Sequence, residues 1–238
     1  MNEQMVFKRY EIKYLLSRRQ RDALLREMAP RMALDCYGRS TIRNVYYDTP
    51  DFLLIRRSLE KPVYKEKLRV RSYGRAAEES PVFVELKKKY QGVVYKRRII
   101  LPQAQARACL AGKSPLPDSQ IGREIAYALA YYQALRPAMF LSYAREAYAP
   151  QDGSAFRVTF DEDIRYRTSA LTLDSDCRGR ALLPPDTVLM ELKTPDAVPL
   201  WMAHALSAQG VRRTSFSKYG AAYQEMCRSL YGGECRYA

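Results

Sequence analysis

Lys65, Lys67, Arg69 and Arg71 stand two residues apart in VYKEKLRVRSY, and Glu85, Lys87 and Lys89 do the same in PVFVELKKKY. On a strand, side chains two apart leave the same face, about 6.6–6.8 Å from one another. The other face of the first segment carries Tyr64, Leu68, Val70 and, less cleanly, Glu66; its apolar members must pack, so the cationic face is either wet or lines a cavity. The device recurs in Arg9, Glu11 and Lys13; Lys96 and Arg98; Tyr143 and Arg145; Arg157, Thr159 and Asp161; and Glu191 and Lys193. At ~7 Å and an effective dielectric of ~20, each unscreened like-charge pair repels by about 2.4 kcal/mol. Walling such side chains in therefore demands a guest with many negative charges. A chain of phosphates suits it, because Arg offers bidentate and Lys point-charge contacts to phosphoryl oxygen.

The interleaved glutamates add a second chemistry. Glu11, Glu85 and Glu191 share faces with Lys13, Lys87 and Lys193, and each either pairs with its cationic neighbour or holds Mg²⁺ or Mn²⁺ bridging phosphate oxygens. For Glu11 and Glu85 the two readings weigh equally. For Glu191 the metal is favoured, since Lys193 is the only other charge in VLMELKTP. At FSKY, Ser217 and Lys218 open a helix, where backbone N–H groups, a hydroxyl and an ammonium converge on an anion.

Composition agrees with a polyanionic partner and closes off other classes. Among 238 residues, 40 Lys and Arg against 26 Asp and Glu leave a formal charge of +14. A content of 47% hydrophobic and 11% aromatic residues excludes disorder of the whole chain. Five cysteines, at 36, 109, 177, 227 and 235, form no CxxC pair, which excludes a zinc knuckle and a disulfide framework. A single histidine, His204, excludes mechanisms that need two imidazoles. No apolar leader or membrane-length apolar run is present, so a cytoplasmic, reducing setting is expected.

The elements that must position these residues form one domain over 1–238. Strands are predicted at 6–16, 40–48, 63–73, 81–90, 93–101, 138–148, 155–161 and 187–193, with a hairpin at Gln91-Gly92. Helices are predicted from the Ser17/Gln20 capping box to Pro30, from Thr49-Pro50 to Ser58, at 103–111, 119–135 and 199–208, and from Ser217 to about Leu230. Residues 164–186 carry no readable pattern. The expected class is α+β, with about eight antiparallel strands closed into a barrel and helices flanking it.

In their order and spacing, FKRYEIKY, YYDTPDF, KLRVRSYG, VFVELKKK, VVYKRRI, LSYAREAY, FRVTFDEDI, MELK and SFSKYG resemble the VTC (vacuolar transporter chaperone) domain family of polyphosphate polymerases, within the CYTH-like triphosphate tunnel metalloenzyme superfamily. The resemblance implies a tunnel in which Lys13, Arg69, Arg71, Lys87, Lys96, Arg145 and Lys218 hold phosphate, Tyr143 and Ser217 support it, and Glu191 binds Mn²⁺ or Mg²⁺. Arg9, Lys67, Arg98, Arg157 and Lys193 join the expected substrate contacts, and Glu11 and Glu85 the candidate metal carboxylates. The implied reaction moves the γ-phosphoryl group of ATP onto inorganic polyphosphate, with phosphate and pyrophosphate as related ligands and no nucleic acid. A membrane-protein partner is left open. The superfamily usually opens ExExK, whereas this chain has RxExK at Arg9, Glu11 and Lys13, and the missing carboxylate favours polymerases over hydrolytic branches. The rivals are a tripolyphosphatase of the same fold and a non-catalytic polyphosphate or nucleic-acid binding module.

Overall fold

Alternating strands need a partner for each face, and the arrangement found here gives helices to one face and an ionic interior to most of the other. The computed structural model describes residues 10–91 and 93–231. In chain order the elements are β1 (Tyr10–Ser17), α1 (Arg18–Met28), β2 (Met32–Leu34), β3 (Ser40–Asp48), α2 (Leu53–Leu59), β4 (Tyr64–Tyr73), β5 (Pro81–Tyr90), β6 (Val93–Pro102), α3 (Gln103–Leu110) and α4 (Gln120–Tyr132). They continue through β7 (Arg136–Pro150), β8 (Arg157–Arg167), β9 (Arg180–Ala181), β10 (Thr187–Thr194), α5 (Leu200–Ala208), β11 (Arg213–Thr214) and α6 (Lys218–Tyr231). Arg9 and Cys235 lie outside the described residues.

The strands form one antiparallel sheet of 11 strands, ordered β11-β1-β10-β8-β7-β3-β4-β5-β6, with β2 on β7 and β9 on β8. This corrects the expected closed barrel of about eight strands. Among the described residues no ladder joins the two ends of the sheet. The sheet nevertheless curls. Six strand steps separate β1 from β5, about 29 Å in a flat sheet, yet Lys87 Nζ on β5 lies 3.0 Å from Glu11 Oε2 on β1. Side chains span a gap that the backbone leaves open.

Apolar parity decides which face turns outward. Leu68, Val70, Val84 and Leu86 pack against Ile121, Ile125 and Ala128 of α4 and Ala106 and Leu110 of α3. Leu16, Val158, Val188, Met190 and Leu192 pack against Leu24 and Met28 of α1 and Met202 and Leu206 of α5. The alternate residues of these strands, the charged ones, are thereby turned to the concave side. The last helix does not flank the sheet. Tyr219, Ala222, Tyr223 and Cys227 of α6 pack with Tyr46, Met139, Leu141, Tyr143 and Leu189. Tyr46 belongs to the concave face, because its hydroxyl accepts from Arg69 at 3.1 Å and its ring stacks on Tyr219 at 4.4 Å. Thus α6 fills part of the inside.

Local signals explain most boundaries. Ser17 and Gln20 form the reciprocal capping box of α1. The Thr49-Pro50 helix starts later than predicted, because Phe52 takes a left-handed conformation (φ 59°) and α2 begins at Leu53. Its first N–H groups are held by Thr49 Oγ1, which accepts from Leu53, and by the carboxylate of Asp48, which accepts from Leu54 and Ile55. The strand predicted at 155–161 extends to Arg167 through a shift in the β7–β8 register between Ser142 and Ala144, opposite Asp163 at φ 48°. Residues Asp161 and earlier face inward at odd positions. After the shift, even residues Ile164 and Tyr166 do so, packing with α6.

Asp48 is fully buried and also accepts from the Tyr219 hydroxyl at 2.8 Å, tying α6 to the start of α2. Tyr219→Phe is expected to lower stability by about 1–3 kcal/mol in urea unfolding, the usual cost of a buried acceptor deprived of a donor; an unchanged midpoint would mean that α6 does not depend on this bond.

Candidate functional site

The concave face gathers side chains from distant segments: Lys13 on β1; Lys67, Arg69 and Arg71 on β4; Lys87 on β5; Lys96 and Arg98 on β6; Arg145 on β7; Lys193 on β10; and Lys218 at the first turn of α6. These ten cations meet four carboxylates, Glu11, Glu85, Asp161 and Glu191. The cations thus outnumber the internal anions, and the face retains charge for a polyanionic guest.

Glu85 is 1% exposed and anchors one half of the site. Its Oε2 accepts from Arg69 Nε at 2.8 Å, and its Oε1 accepts from Lys96 at 2.6 Å and from Arg98 Nη2 at 2.8 Å, while Arg71 stands 4.0 Å away. Burial alone would raise its pKa, but Arg69, Arg71, Lys96 and Arg98 outweigh that and hold it well below the ordinary carboxylate range. The strand ladder explains the grouping, since Glu85 lies opposite Arg69 on β4 and Arg98 on β6. Both of its oxygens are engaged by cations, which leaves little room for a metal ion there.

Asp161 anchors the other half and is completely buried. It accepts both Nε and Nη2 of Arg145, at 2.6 and 2.7 Å, and lies 2.5 Å from Lys218 Nζ. Arg145 and Lys218 overcome the effect of burial and lower its pKa to about 2. Both cations also lie over the Tyr143 ring, at 5.1 and 4.6 Å, and the Tyr143 hydroxyl accepts from Arg71 at 3.1 Å. Tyr143 is fully buried among these cations, which lower its pKa to about 8 against the upward push of burial. Asp161 was absent from the sequence-predicted site, although its parity with Arg157 and Thr159 carried the signal.

A third group crosses the open side of the curl. Lys13 Nζ donates to the Phe216 carbonyl at 2.8 Å, and Lys67 Nζ donates to Ser217 Oγ at 2.9 Å. Ser217 in turn caps α6 by accepting from the Gly220 N–H at 3.2 Å. A Cβ at Gly220 would lie 2.9 Å from Leu59 Cδ2 and 3.3 Å from Ser217 Oγ, so the cap and α2 meet at this turn. Burial, with Lys87 and other cations nearby, lowers Lys67 to about 7. Burial lowers Lys13 to about 8 and Lys96 to about 7, despite the opposing pull of Glu191 and Glu85 respectively.

Glu191 differs from the other buried carboxylates. It is 7% exposed, and its flanking cations, Lys193 and Arg145, stand 3.7 and 3.9 Å from Oε2, beyond hydrogen-bond length. Burial would raise its pKa, but Lys193, Lys13, Lys218 and Arg145 hold it well below the usual range. Glu11 lies on the neighbouring strand, where Glu11 opposes Lys193 and Lys13 opposes Glu191. Among the described residues no cluster of three or more His, Cys, Asp or Glu could enclose a metal ion. A carboxylate that accepts no hydrogen bond among the described residues, with a second nearby, still fits Mg²⁺ or Mn²⁺ of the kind that takes most remaining ligands from water and substrate phosphate.

The sequence-predicted residues are therefore brought together with two exceptions. Arg9 is outside the described residues. Arg157 is exposed, and its guanidinium donates to the carbonyls of Ser154 and Phe156.

The sequence model of the VTC domain matches residues 8–227, nearly the entire chain. The chain belongs to the VTC domain family. Two solved structures share its fold. A Hippeastrum protein, provisionally described as an adenylyl cyclase with a dominant triphosphatase activity, superposes with a TM-score of 0.59 at 18% identity, covering 92% of this chain and 96% of its own. A Bacillus halodurans protein provisionally described as an adenylate cyclase gives 0.56 at 16% identity, covering 90% and 96%. At these identities the likeness concerns the fold. No curated relative matches the chain.

The lysine pKa values fix the sign of a proton linkage. A lysine at about 7 or 8 in the folded protein and near 10.5 when unfolded binds fewer protons folded, so stability without a guest rises as pH climbs from about 7 towards 10.5. A bound polyanion favours the ammonium forms. Tripolyphosphate binding at pH 8 is expected to take up protons, read from calorimetry in buffers of different ionisation enthalpy; net release would contradict the lysine environment described.

Proposed function

We propose that this VTC domain is a polyphosphate polymerase that transfers the γ-phosphoryl group of ATP to the end of an inorganic polyphosphate chain. The observation that carries the reading is the cationic concave face, on which Arg69, Lys87, Arg145 and Lys218 from four separate elements surround one interior. Phosphoryl transfer asks the protein mainly to position two anionic chains and to neutralise the charge spread over the moving group. Arg145 spends Nε and Nη2 on Asp161 and keeps Nη1 for phosphate. Arg71, held by Asn44 and Tyr143, is likewise oriented before substrate arrives.

In the step, a terminal oxygen of the acceptor chain forms a bond to the γ-phosphorus of ATP. The bond from that phosphorus to the β–γ bridging oxygen breaks, and ADP leaves with the electron pair. The attacking oxygen is already anionic, so no base is required. Glu191, with Glu11 beside it, would hold Mn²⁺ or Mg²⁺, which when bound withdraws charge from phosphate oxygens. Lys13, Lys67, Lys96 and Ser217 would hold the remainder of the polyanion.

The distribution of carboxylates supports transfer over hydrolysis. Water must be oriented and deprotonated, whereas Glu85, Asp161 and Glu11 are engaged by cations. A triphosphatase is the second reading, favoured by the activity of the Hippeastrum relative. Incubation with ATP and Mn²⁺ separates them: the expected product is long-chain polyphosphate stained on a gel, and orthophosphate alone would assign the hydrolase. Arg69→Ala should lower turnover about 100-fold or more, as loss of one preorganised donor does, and remain folded because Lys96 and Arg98 still hold Glu85. An unfolded variant would show that Arg69 serves architecture first.

A further inference from the structure

We infer that Asp161 is a positioning residue whose work is to keep Arg145 off Glu191, leaving that carboxylate open to a divalent ion. The inference rests on the reading of Glu191 as the metal carboxylate and assigns the separate question of what keeps it available. Arg145 Nη2 stands between two buried anions, 2.7 Å from Asp161 and 3.9 Å from Glu191. The nearer carboxylate takes it in a two-pronged geometry, with Nε at 2.6 Å, the strongest form of an arginine contact. Asp161 also draws Lys218 to 2.5 Å, although Lys218 contributes to the field at Glu191 as well.

The sheet produces this division of labour. Asp161 opposes Leu189 on β10, and Glu191 opposes Thr159 on β8, so the two carboxylates are diagonal neighbours on one face. Arg145 opposes Asp161 directly across β7–β8. Without an anion at 161, the nearest partner for the guanidinium is Glu191. A buried arginine stripped of its carboxylate is costly, which drives it to the next one. The guanidinium would then occupy the oxygens intended for the cation.

Thr159 reinforces the same side of the account. It is 5% exposed on the inward face, and its Oγ1 makes no hydrogen bond among the described residues. Beside Glu191 lies a polar group with capacity to spare, whereas around Asp161 the donors are already committed.

Asp161→Asn keeps the shape and removes the charge. Mn²⁺ alone is titrated into the full chain and the free ion is followed by its paramagnetic resonance signal, with near-ultraviolet circular dichroism to verify folding. The expected results are uptake by the wild type, loss in Glu191→Gln, and about 10-fold weaker uptake in Asp161→Asn. The double variant Asp161→Asn/Arg145→Gln should recover most of the affinity, because the competitor is gone. Unchanged Mn²⁺ affinity in folded Asp161→Asn overturns the inference while leaving the metal role of Glu191 in place, as does a double variant no better than the single. If Asp161→Asn does not fold, the comparison passes to Arg145→Gln alone, which should bind Mn²⁺ at least as tightly as wild type; weaker binding overturns the proposal. Absence of uptake by the wild type, or uptake unaffected by Glu191→Gln, overturns the metal reading and the inference with it.

Discussion

Enclosing like charges is the constraint to which the rest of this molecule answers. Cations two residues apart on adjoining strands repel along and across the ladder, and a curled sheet removes much of the water that would screen them. Two buried carboxylates offset that repulsion from within. Glu85 gathers Arg69, Lys96 and Arg98, with Arg71 at 4.0 Å, and Asp161 gathers Arg145 and Lys218. Removing the shared carboxylate from such a group leaves buried cations uncompensated, a loss that typically costs about 3–5 kcal/mol. The internal anions leave an excess of cations, so the interior keeps its shape without a guest and retains affinity for one.

Packing outside the curl makes that interior possible. The apolar alternates of β4 and β5 are covered by α3 and α4, and those of β1, β8 and β10 by α1 and α5. Each strand is thereby committed to one orientation, since a slip of one residue would exchange buried leucines for lysines. On the concave side, α6 carries Lys218 and Ser217 into the site and is fixed by the Tyr219–Asp48 bond. The YYDTPDF segment thus acts on the site twice, through the Tyr46 contact with Arg69 and through the helix terminus that Asp48 fixes.

Regular two-sided strands made much of this legible in the sequence. In KEKLRVR and VELKKK the alternates Leu68, Val70, Val84 and Leu86 are apolar, with Glu66 and Lys88 the exceptions at the segment ends, so parity placed Lys67, Arg69, Arg71, Glu85 and Lys87 on one face. Less legible were features set by distant partners. The short strands β2, β9 and β11 exist through pairing with β7, β8 and β1, and nothing local announces them. The register shift opposite Asp163 reverses parity within β8, which hid the pattern beyond residue 164. Asp161 shares a face with Arg157 and Thr159 in the sequence, but nothing local shows that it meets Arg145 and Lys218. The expectation of a closed barrel failed because curvature was inferred from charge, and charge does not specify whether backbone or side chains complete the ring.

The most direct test of a walled, phosphate-binding interior is a crystal structure of the full chain soaked with tripolyphosphate. Phosphoryl groups in contact with Arg69, Lys87, Arg145 and Lys218 on the concave face are predicted. Tripolyphosphate bound only to outward-facing arginines, with those four side chains still paired as described, would contradict the account.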